Sequence, residues 1–213
     1  MKYSTYFFDL DGTLTDSGEG IMNAVKYSLQ KSGDEIPPEE TLMKFIGPPL
    51  WESFENFCGF SKEKAYMAVR YYREYYNEKG WCENRVYDGI PALLQRLKDS
   101  GKRLAVATSK PEFFALRILE HFGLIKYFDN VTGSNLDGTM MAKSEVVACA
   151  LGKCGVTDKS SVVMIGDRMH DVIGAHTNGL ECVYVLYGFG NYVEAREYEA
   201  EYIVRSPGEI ADI

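Results

Sequence analysis

The sequence has no pair of cysteines in a Cys-x-x-Cys spacing, and no apolar run near the ~20 residues that a membrane-spanning helix needs. Its five cysteines, an odd number, argue against a disulfide framework and a zinc site, and they favour a reducing compartment. The first residues are polar and aromatic, unlike the basic and then apolar pattern of a signal peptide. We therefore expect a cytoplasmic protein without a membrane partner.

Basic residues are also few. The 213 residues include 23 lysines and arginines against 31 aspartates and glutamates, which gives a formal net charge of −8. Binding along a nucleic-acid backbone needs a basic face, so this balance argues against a nucleic-acid partner. A small phosphorylated metabolite is compatible with the charge, because a bound metal ion can offset the repulsion locally.

What is present is a set of short apolar runs that predict buried β-strands. They cover residues 3–8, 103–108, 161–166 and 181–186. Helical patterns lie between them, and one of these has Pro91 near its start and Gly101 just past its end. The alternation of strands and helices predicts an α/β fold with a Rossmann-like parallel sheet. The predicted helices cover residues 90–100, 112–121 and 143–154.

Residues 16–85 differ from the rest, because they contain almost no continuous strand-like run. We predict that they form an α-helical domain, inserted into an α/β core domain made of residues 1–15 and 86–213. The insert is rich in aromatic residues, which we expect to form its own core. These residues are Trp51, Phe54, Phe57, Tyr66, Tyr72 and Tyr76.

Polar residues follow three of the predicted strands. The segment DLDGT (9–13) comes after the first, TSK (108–110) ends the second, and GD (166–167) ends the third. Ligands of an open parallel sheet bind beyond the carboxyl ends of its strands, so these residues should face one crevice, which Lys143 and Asp171 can reach from adjoining loops. Four carboxylates with a hydroxyl and an ammonium group suit Mg²⁺ and a phosphate group.

Asp9 and Asp11 are two residues apart, so on an extended strand both side chains would point the same way. Like charges at that distance drive the two pKa values apart. With Mg²⁺ on Asp9, that carboxylate stays ionised and can attack, while Asp11 can carry a proton and act as an acid and then as a base. Gly12 lets the backbone turn sharply beneath the ligand.

These motifs resemble those of the haloacid dehalogenase superfamily: DLDGT after a strand, TSK at a strand end, Lys143 before a helix and GDRMHD (166–171) after a strand. The resemblance covers essentially the whole chain. It is to the phosphoglycolate phosphatase-like and 5′-nucleotidase-like branch, in which the insert is a helical cap domain. It implies a Mg²⁺-dependent phosphatase that hydrolyses a small phosphate monoester through an aspartyl-phosphate intermediate.

The resemblance also implies a role for each motif residue. Asp9 is expected to be the nucleophile, and Asp11 to protonate the leaving oxygen and then activate water. Thr108 is expected to hydrogen-bond the phosphoryl group, and Lys143 to neutralise its charge. Such a set suits phosphoryl transfer, which depends mainly on positioning and electrostatic stabilisation. The expected Mg²⁺ ligands are Asp9, Asp11 through its backbone carbonyl, Asp167 and Asp171, the last directly or through water.

The substrate stays open at this point: phosphoglycolate, nucleoside 5′-monophosphates, pyrophosphate and sugar phosphates all fit. In this superfamily the cap and its loops set specificity. The segment LMKFIGPPL (42–50) resembles the cap segment that approaches the active site, which makes Lys44 a candidate substrate-binding residue. Arg73 is a candidate for a carboxylate or second phosphate of the substrate, and Ser109 is a candidate beside Thr108. The oligomeric state cannot be read from the sequence.

Other functions are less compatible with the sequence. A nucleotide-binding P-loop is absent, and Gly-Phe-Gly at 188–190 lacks the third glycine of a dinucleotide-binding motif. Within the superfamily, Asp11 disfavours dehalogenases and phosphonatases, but a β-phosphoglucomutase-like sugar phosphomutase is an open alternative. A non-catalytic binding module is the alternative outside enzymology, although no chemical residue of the motifs is missing.

A second Leu-Asp-Gly-Thr stretch lies at residues 136–139. Here Asn135 takes the position that corresponds to Asp9, and an amide cannot serve as the same nucleophile. We therefore expect residues 137–139 to form a turn, and residues 133–135 to be a loop.

Overall fold

The computed structural model of the protein describes residues 2–136 and 139–213. The chain divides into two units, one made of Met1–Thr15 and Val86–Ile213 and the other of Asp16–Arg85. The domain organisation proposed from the sequence stays a prediction. In the described part of the chain, no helix combines the length and the apolar character that crossing a membrane requires.

Eight strands and ten α-helices are found in the described residues. The strands are β1 (Thr5–Phe8), β2 (Thr15–Asp16), β3 (Arg85–Val86), β4 (Arg103–Pro111), β5 (Asn130–Ser134), β6 (Val162–Gly166), β7 (Glu181–Val185) and β8 (Tyr202–Val204). The helices are α1 (Gly18–Ser32), α2 (Glu39–Met43), α3 (Leu50–Cys58), α4 (Lys62–Tyr75), α5 (Ile90–Asp99), α6 (Glu112–His121), α7 (Lys143–Lys153), α8 (Met169–Thr177), α9 (Tyr192–Glu197) and α10 (Pro207–Ile210).

The first unit is built on a six-stranded sheet in the order β5-β4-β1-β6-β7-β8, in which every pair of neighbours is parallel. Helices alternate with these strands along the chain. The predicted fold class, an α/β protein with a Rossmann-like parallel sheet, is therefore confirmed. The four predicted strands correspond to β1, β4, β6 and β7, and the predicted helices to α5, α6 and α7.

The sequence did not reveal β5 and β8. The strand β5 reads NVTGS, and its asparagine and glycine are residues that strands usually lack. The expectation of a loop at residues 133–135 is wrong for Gly133 and Ser134, which end this strand, and correct for Asn135. The strand β8 has only three residues, too short a run to give a periodic pattern.

Apolar side chains from the strands and from α7 and α8 form one buried cluster. Phe7 and Met164 of the central strands meet Val146 of α7 and Val172 of α8 there. Burial of such a side chain contributes about 1.5–3 kcal/mol relative to exposure. This packing fixes both helices against the sheet, and with them the residues at the start of each helix.

The second unit is α-helical, and its aromatic residues divide between core and surface. Phe54, Tyr72 and Tyr76 are buried, as predicted, whereas Trp51 and Phe57 are half-buried. The prediction is wrong for Tyr66, whose exposed fraction is 60%. The buried stripe of α4 runs through Ala65, Ala68 and Tyr72, at helical spacing, so Tyr66 lies off the stripe.

Candidate active site

The three central strands lie side by side at the edge of the sheet where β1 and β6 end, and β4 continues past this point to Pro111. Phe8 of β1 lies opposite Val106 of β4 and Ile165 of β6, so the residues that follow these positions are neighbours. The backbone N–H of Asp9 still donates to the carbonyl of Ile165, at 2.9 Å. The strand itself ends at Phe8, and the chain bends at Leu10. The expectation of an extended strand through Asp11 is therefore wrong.

Three carboxylates meet at this edge. Asp9, Asp167 and Asp171 each offer an oxygen atom, and these oxygens lie within 4.8 Å of one another. Asp167 and Asp171 are fully buried, and the N–H of Arg168 donates to Oδ2 of Asp171 at 3.1 Å. Three of the four carboxylates that the sequence predicts to gather therefore do so.

Lys143 links this cluster to two strands and a helix. It is the first residue of α7, and only 4% of its side chain is exposed. Its Nζ lies 2.8 Å from Oδ1 of Asp9 and 2.8 Å from Oδ1 of Asp171, and it donates to the carbonyl of Ala107 at 3.2 Å. Gly174 of α8 admits the lysine stem, because a Cβ there would lie 2.5 Å from Cγ of Lys143.

Burial and charge together set the protonation of the cluster. Burial, with the charges of Asp171 and Asp9, raises the pKa of Asp167 well above its usual value. Burial also raises the pKa of Asp171, to about 6, although Lys143 opposes that shift. Burial acts to lower the pKa of Lys143, but the carboxylates of Asp171 and Asp9 outweigh it and raise that pKa. Lys143 therefore stays charged, and negative charge in the cluster is only partly compensated.

Asp11 has a different partner. Its Oδ2 accepts a hydrogen bond from Nζ of Lys110 at 2.5 Å, and the Lys110 side chain is only 6% exposed. The other oxygen of Asp11, Oδ1, is buried and has no hydrogen-bond partner among the described residues. The ammonium group of the lysine in the TSK segment therefore lies on Asp11.

The two other polar residues of the second motif lie at the end of β4. Thr108 is buried, and its hydroxyl accepts from the N–H of Lys110 at 3.2 Å. Thr108 directly follows Ala107, whose carbonyl contacts Lys143, which brings it to the same edge of the sheet. Ser109 is half-buried, and its carbonyl accepts from the hydroxyl of Ser134 at 2.7 Å.

The predicted substrate-binding residues Lys44 and Arg73 lie in the second unit, where both are exposed. Lys44 directly follows α2, and Arg73 lies in the last turn of α4. The residue after Lys44, Phe45, packs edge-on against Phe54 of the same unit, with ring centroids 5.1 Å apart. The roles of Lys44 and Arg73 stay predictions.

One contributor to the site was missed by sequence reasoning. The Gly-Phe-Gly stretch follows β7 and reaches Asp167, because the N–H of Phe189 donates to Oδ2 of Asp167 at 2.7 Å. As a sequence pattern, the stretch matches only an incomplete dinucleotide-binding motif. Its position just beyond the carboxyl end of a predicted strand, with two glycines that permit close approach, was the available signal.

The second Leu-Asp-Gly-Thr stretch is only partly described, because residues 137 and 138 lie outside the described ranges. The predicted turn there is therefore not assessed. On either side of it, the N–H of Asn135 donates to the carbonyl of Thr139 at 3.2 Å.

The donor set fits a hard divalent cation. Such ions prefer oxygen ligands, and carboxylates are their usual partners in proteins. The raised pKa of Asp167, caused first by burial and then by two neighbouring carboxylates, marks a place where added positive charge would be stabilising. Asp9, Asp167 and Asp171 could therefore hold a metal ion.

Comparison with known proteins agrees with this geometry. A family model described as "Haloacid dehalogenase-like hydrolase" matches residues 6–185. A 5′-nucleotidase of Pseudomonas aeruginosa is 45% identical over 199 residues, which are 93% of this chain and 90% of that protein. The crystal structure of "a predicted phosphatase" from Clostridium acetobutylicum is 48% identical, has a TM-score of 0.94, and is matched over 100% of this chain and 98% of that one.

A relative with another named activity is the tyrosine-protein kinase PtkA of Mycobacterium tuberculosis. It is 42% identical over 184 residues, which are 86% of this chain but only 62% of PtkA. The family model covers most of the chain, including all four motifs and the three clustered aspartates. The chain therefore belongs to the haloacid dehalogenase-like hydrolase family, in its phosphatase branch.

Proposed function

We propose that this phosphatase hydrolyses phosphate monoesters of small metabolites with Mg²⁺. We further propose that nucleoside 5′-monophosphates are its preferred substrates. The observation that carries the proposal is the placement of Asp9 between Lys143 and two buried carboxylates at the end of the central strands. The substrate class is supported by the relative named 5′-nucleotidase. Five cysteines without a disulfide are compatible with a cytoplasmic location.

Asp9 is the proposed nucleophile. Its contact with Lys143 and the hydrogen bond from the N–H of Leu10 to Oδ1, at 2.8 Å, orient the carboxylate. One carboxylate oxygen attacks phosphorus, the bond from phosphorus to the ester oxygen breaks, and an aspartyl-phosphate forms. Lys143 then lies where it can balance the charge of the transferring group.

Asp11 is the proposed acid and base. It donates its proton to the leaving ester oxygen, and it then takes a proton from water as that water attacks the aspartyl-phosphate. Inorganic phosphate leaves, and the Asp9 carboxylate is restored. Lys110 holds Oδ2 of Asp11, which leaves the unpartnered Oδ1 for the proton transfer. Thr108 and Ser109 are proposed to bind phosphate oxygens at the end of β4.

Mg²⁺ would be held by Asp9, Asp167, Asp171 and the backbone carbonyl of Asp11. When bound, it would supply positive charge against the phosphate oxygens and against the clustered carboxylates. Burial of Asp167 and Asp171 keeps bulk water from these two ligands. In the second unit, Lys44 and Arg73 are proposed to contribute to substrate choice.

The test is phosphate release from a panel of nucleoside monophosphates, phosphoglycolate, pyrophosphate and sugar phosphates, each with Mg²⁺ and with EDTA. We expect release from a monoester with Mg²⁺, and its loss with EDTA and in Asp9→Asn. Asp99→Asn, an exposed aspartate at the end of α5, is the matched control and should retain activity. Absence of release from every compound with Mg²⁺, or full activity of Asp9→Asn, would contradict the proposal.

The sugar phosphates of the panel, assayed with and without an added sugar bisphosphate, separate the phosphomutase alternative. A mutase would move phosphate between positions of a sugar phosphate and would need a sugar bisphosphate for turnover. Isomerised sugar phosphate without net release of inorganic phosphate would favour that alternative over the one proposed here.

A further inference from the structure

The loop that follows β7 lies against the aspartate cluster. We call residues Tyr187–Gly190 the 187–190 loop. Its Phe189 donates a backbone hydrogen bond of 2.7 Å to Oδ2 of Asp167, a residue with no exposed surface. Hydrogen bonds from backbone N–H groups to carboxylates are charge-assisted and directional. The orientation of the Asp167 carboxylate therefore depends on where this loop lies.

Close contacts on both sides leave Asp167 little room to move. A Cβ on Gly188 would lie 2.2 Å from the carbonyl oxygen of Gly12 and 2.4 Å from Cβ of Asp167. A Cβ on Gly12 would lie 2.1 Å from Oδ2 of Asp167. The carboxylate is thus enclosed between the turn after Asp11 and the 187–190 loop, and both glycines are needed for that approach.

The loop is anchored at both ends. At its start, the hydroxyl of Tyr187 donates to the carbonyl of Thr13 at 3.1 Å. At its end, the N–H of Asn191 donates to the hydroxyl of Tyr184 at 3.2 Å, and that hydroxyl donates to Glu194 at 2.9 Å.

Glu194 also accepts a hydrogen bond of 2.7 Å from the N–H of Met169, which lies two residues after Asp167. The anchors therefore tie the loop to both segments that carry metal-binding candidates: the one after β1 and the one after β6.

We propose that the 187–190 loop is a positioning element of the metal site, whose Phe189 N–H holds Asp167 in the orientation that binds Mg²⁺. This rests on the proposed function, since it assigns Asp167 to the metal. Groups that orient a metal ligand typically change metal affinity or activity about 10- to 100-fold when they are lost. The loop itself contacts neither substrate nor metal in this proposal, so it acts through Asp167.

The experiment compares two substitutions of one residue. Phe189→Pro removes the N–H and keeps a negative backbone φ, whereas Phe189→Ala keeps the N–H and removes only the ring. Mg²⁺ affinity is measured by isothermal titration calorimetry on the full chain after treatment with EDTA. We expect Phe189→Pro to weaken Mg²⁺ binding about 10- to 100-fold, and Phe189→Ala to bind it nearly as the wild type does.

A second readout separates positioning from general damage. Phosphate release at increasing Mg²⁺ should show a raised half-saturating Mg²⁺ concentration for Phe189→Pro, with turnover largely restored at saturation. Circular dichroism and thermal unfolding in EDTA report folding. If Phe189→Pro does not fold, Tyr187→Phe, which removes only the anchor to Thr13, replaces it and should also weaken Mg²⁺ binding.

The outcomes distinguish this inference from the function on which it rests. Wild-type Mg²⁺ affinity in a folded Phe189→Pro, or in Tyr187→Phe where it replaces that variant, overturns the positioning role while the phosphatase proposal stands. An equal loss in Phe189→Ala and Phe189→Pro also overturns it, because the ring would then be responsible. If the wild type binds no Mg²⁺ and releases phosphate equally well in EDTA, the metal proposal fails together with this inference.

Discussion

Among the described residues, buried ion pairs lie in the first unit, whereas the ion pairs of the second unit are exposed. In the first unit, Lys143 and Asp171 form a pair whose side chains are 4% and 1% exposed. In the second unit, Lys64 and Asp34 form a pair whose side chains are 44% and 22% exposed. Removing an ion from water costs several kcal/mol, whereas exposed pairs contribute about 0–1 kcal/mol. Stability alone therefore does not explain the buried charges of the first unit, whereas the proposed phosphoryl-transfer site would require them.

The largest contrast should come from removing one lysine of each pair. Lys143→Met leaves Asp9 and Asp171 without their buried cation, so we expect the free energy of unfolding at pH 7 in EDTA to fall by about 3–5 kcal/mol. Lys64→Met should lower it by at most about 1 kcal/mol. Urea denaturation measures both. An equal loss of unfolding free energy in the two variants would contradict the claim that the buried pair and the exposed pair differ.

Turnover can be compared after removal of a buried and of an exposed lysine within the first unit. Lys110→Met leaves the Asp11 carboxylate without the ammonium group that holds it at 2.5 Å. We expect turnover to fall about 10- to 100-fold, which is less than the roughly 10²- to 10⁴-fold contribution of acid–base catalysis because Asp11 itself remains. The control Lys153→Met breaks the exposed pair with Glu112, in the same unit, and should leave turnover unchanged. Normal turnover in Lys110→Met would show that the buried pair has no part in the reaction.

The pH dependence of stability tests the buried cluster without metal. Asp171 has a pKa of about 6 in the folded protein, raised by burial, whereas an aspartate in the unfolded chain has a pKa near 3.9. A raised pKa means that the folded state binds more protons, so the contribution of Asp171 is complete below about pH 4 and is lost as the pH rises through about 6.

In EDTA, we therefore expect the wild type to lose about 1–3 kcal/mol relative to Asp171→Asn between pH 4 and pH 7. Urea denaturation of both proteins across this range gives the difference. A difference that stays constant, or that grows in favour of the wild type with rising pH, would contradict the burial effect.

The smallest effect concerns the aromatic residues of the second unit. Tyr66 is 60% exposed, so Tyr66→Ala should change the free energy of unfolding by no more than about 0.5 kcal/mol. The matched substitution Phe54→Ala removes a ring with no exposed surface and should cost about 3–5 kcal/mol. Thermal or urea unfolding measures both, and a similar cost for the two would contradict the assignment of Tyr66 to the surface.

Much of the fold was readable from the sequence where a single rule dominated. Short, nearly continuous apolar runs predicted β1, β4, β6 and β7, because strands covered on both faces leave few polar positions. The same rule failed for β5, which contains Asn130 and Gly133, and for the three residues of β8. Aromatic character alone did not predict the burial of Tyr66. Its exposure follows from its position on α4, outside the buried stripe of Ala65, Ala68 and Tyr72.

For the site, order along the chain predicted which residues gather, but not their pairing. The meeting of Asp9, Asp167, Asp171 and Lys143 follows from parallel strands that end at one edge. The pairing of Lys110 with Asp11 depends on side-chain conformations that spacing does not specify. The contact of Phe189 with Asp167 uses a backbone N–H, so the sequence signals it only through the two glycines that flank Phe189 after a predicted strand.

The most direct test of the account is to identify the residue that becomes phosphorylated. The enzyme is mixed with Mg²⁺ and its best substrate, quenched within one turnover, and treated with borohydride, which reduces an acyl phosphate on an aspartate to homoserine. Peptide mass spectrometry then locates the reduced residue. The account predicts conversion at Asp9 alone, and none in Asp9→Asn or without substrate. Hydrolysis that proceeds with no conversion at Asp9, or with conversion at another carboxylate, would contradict it.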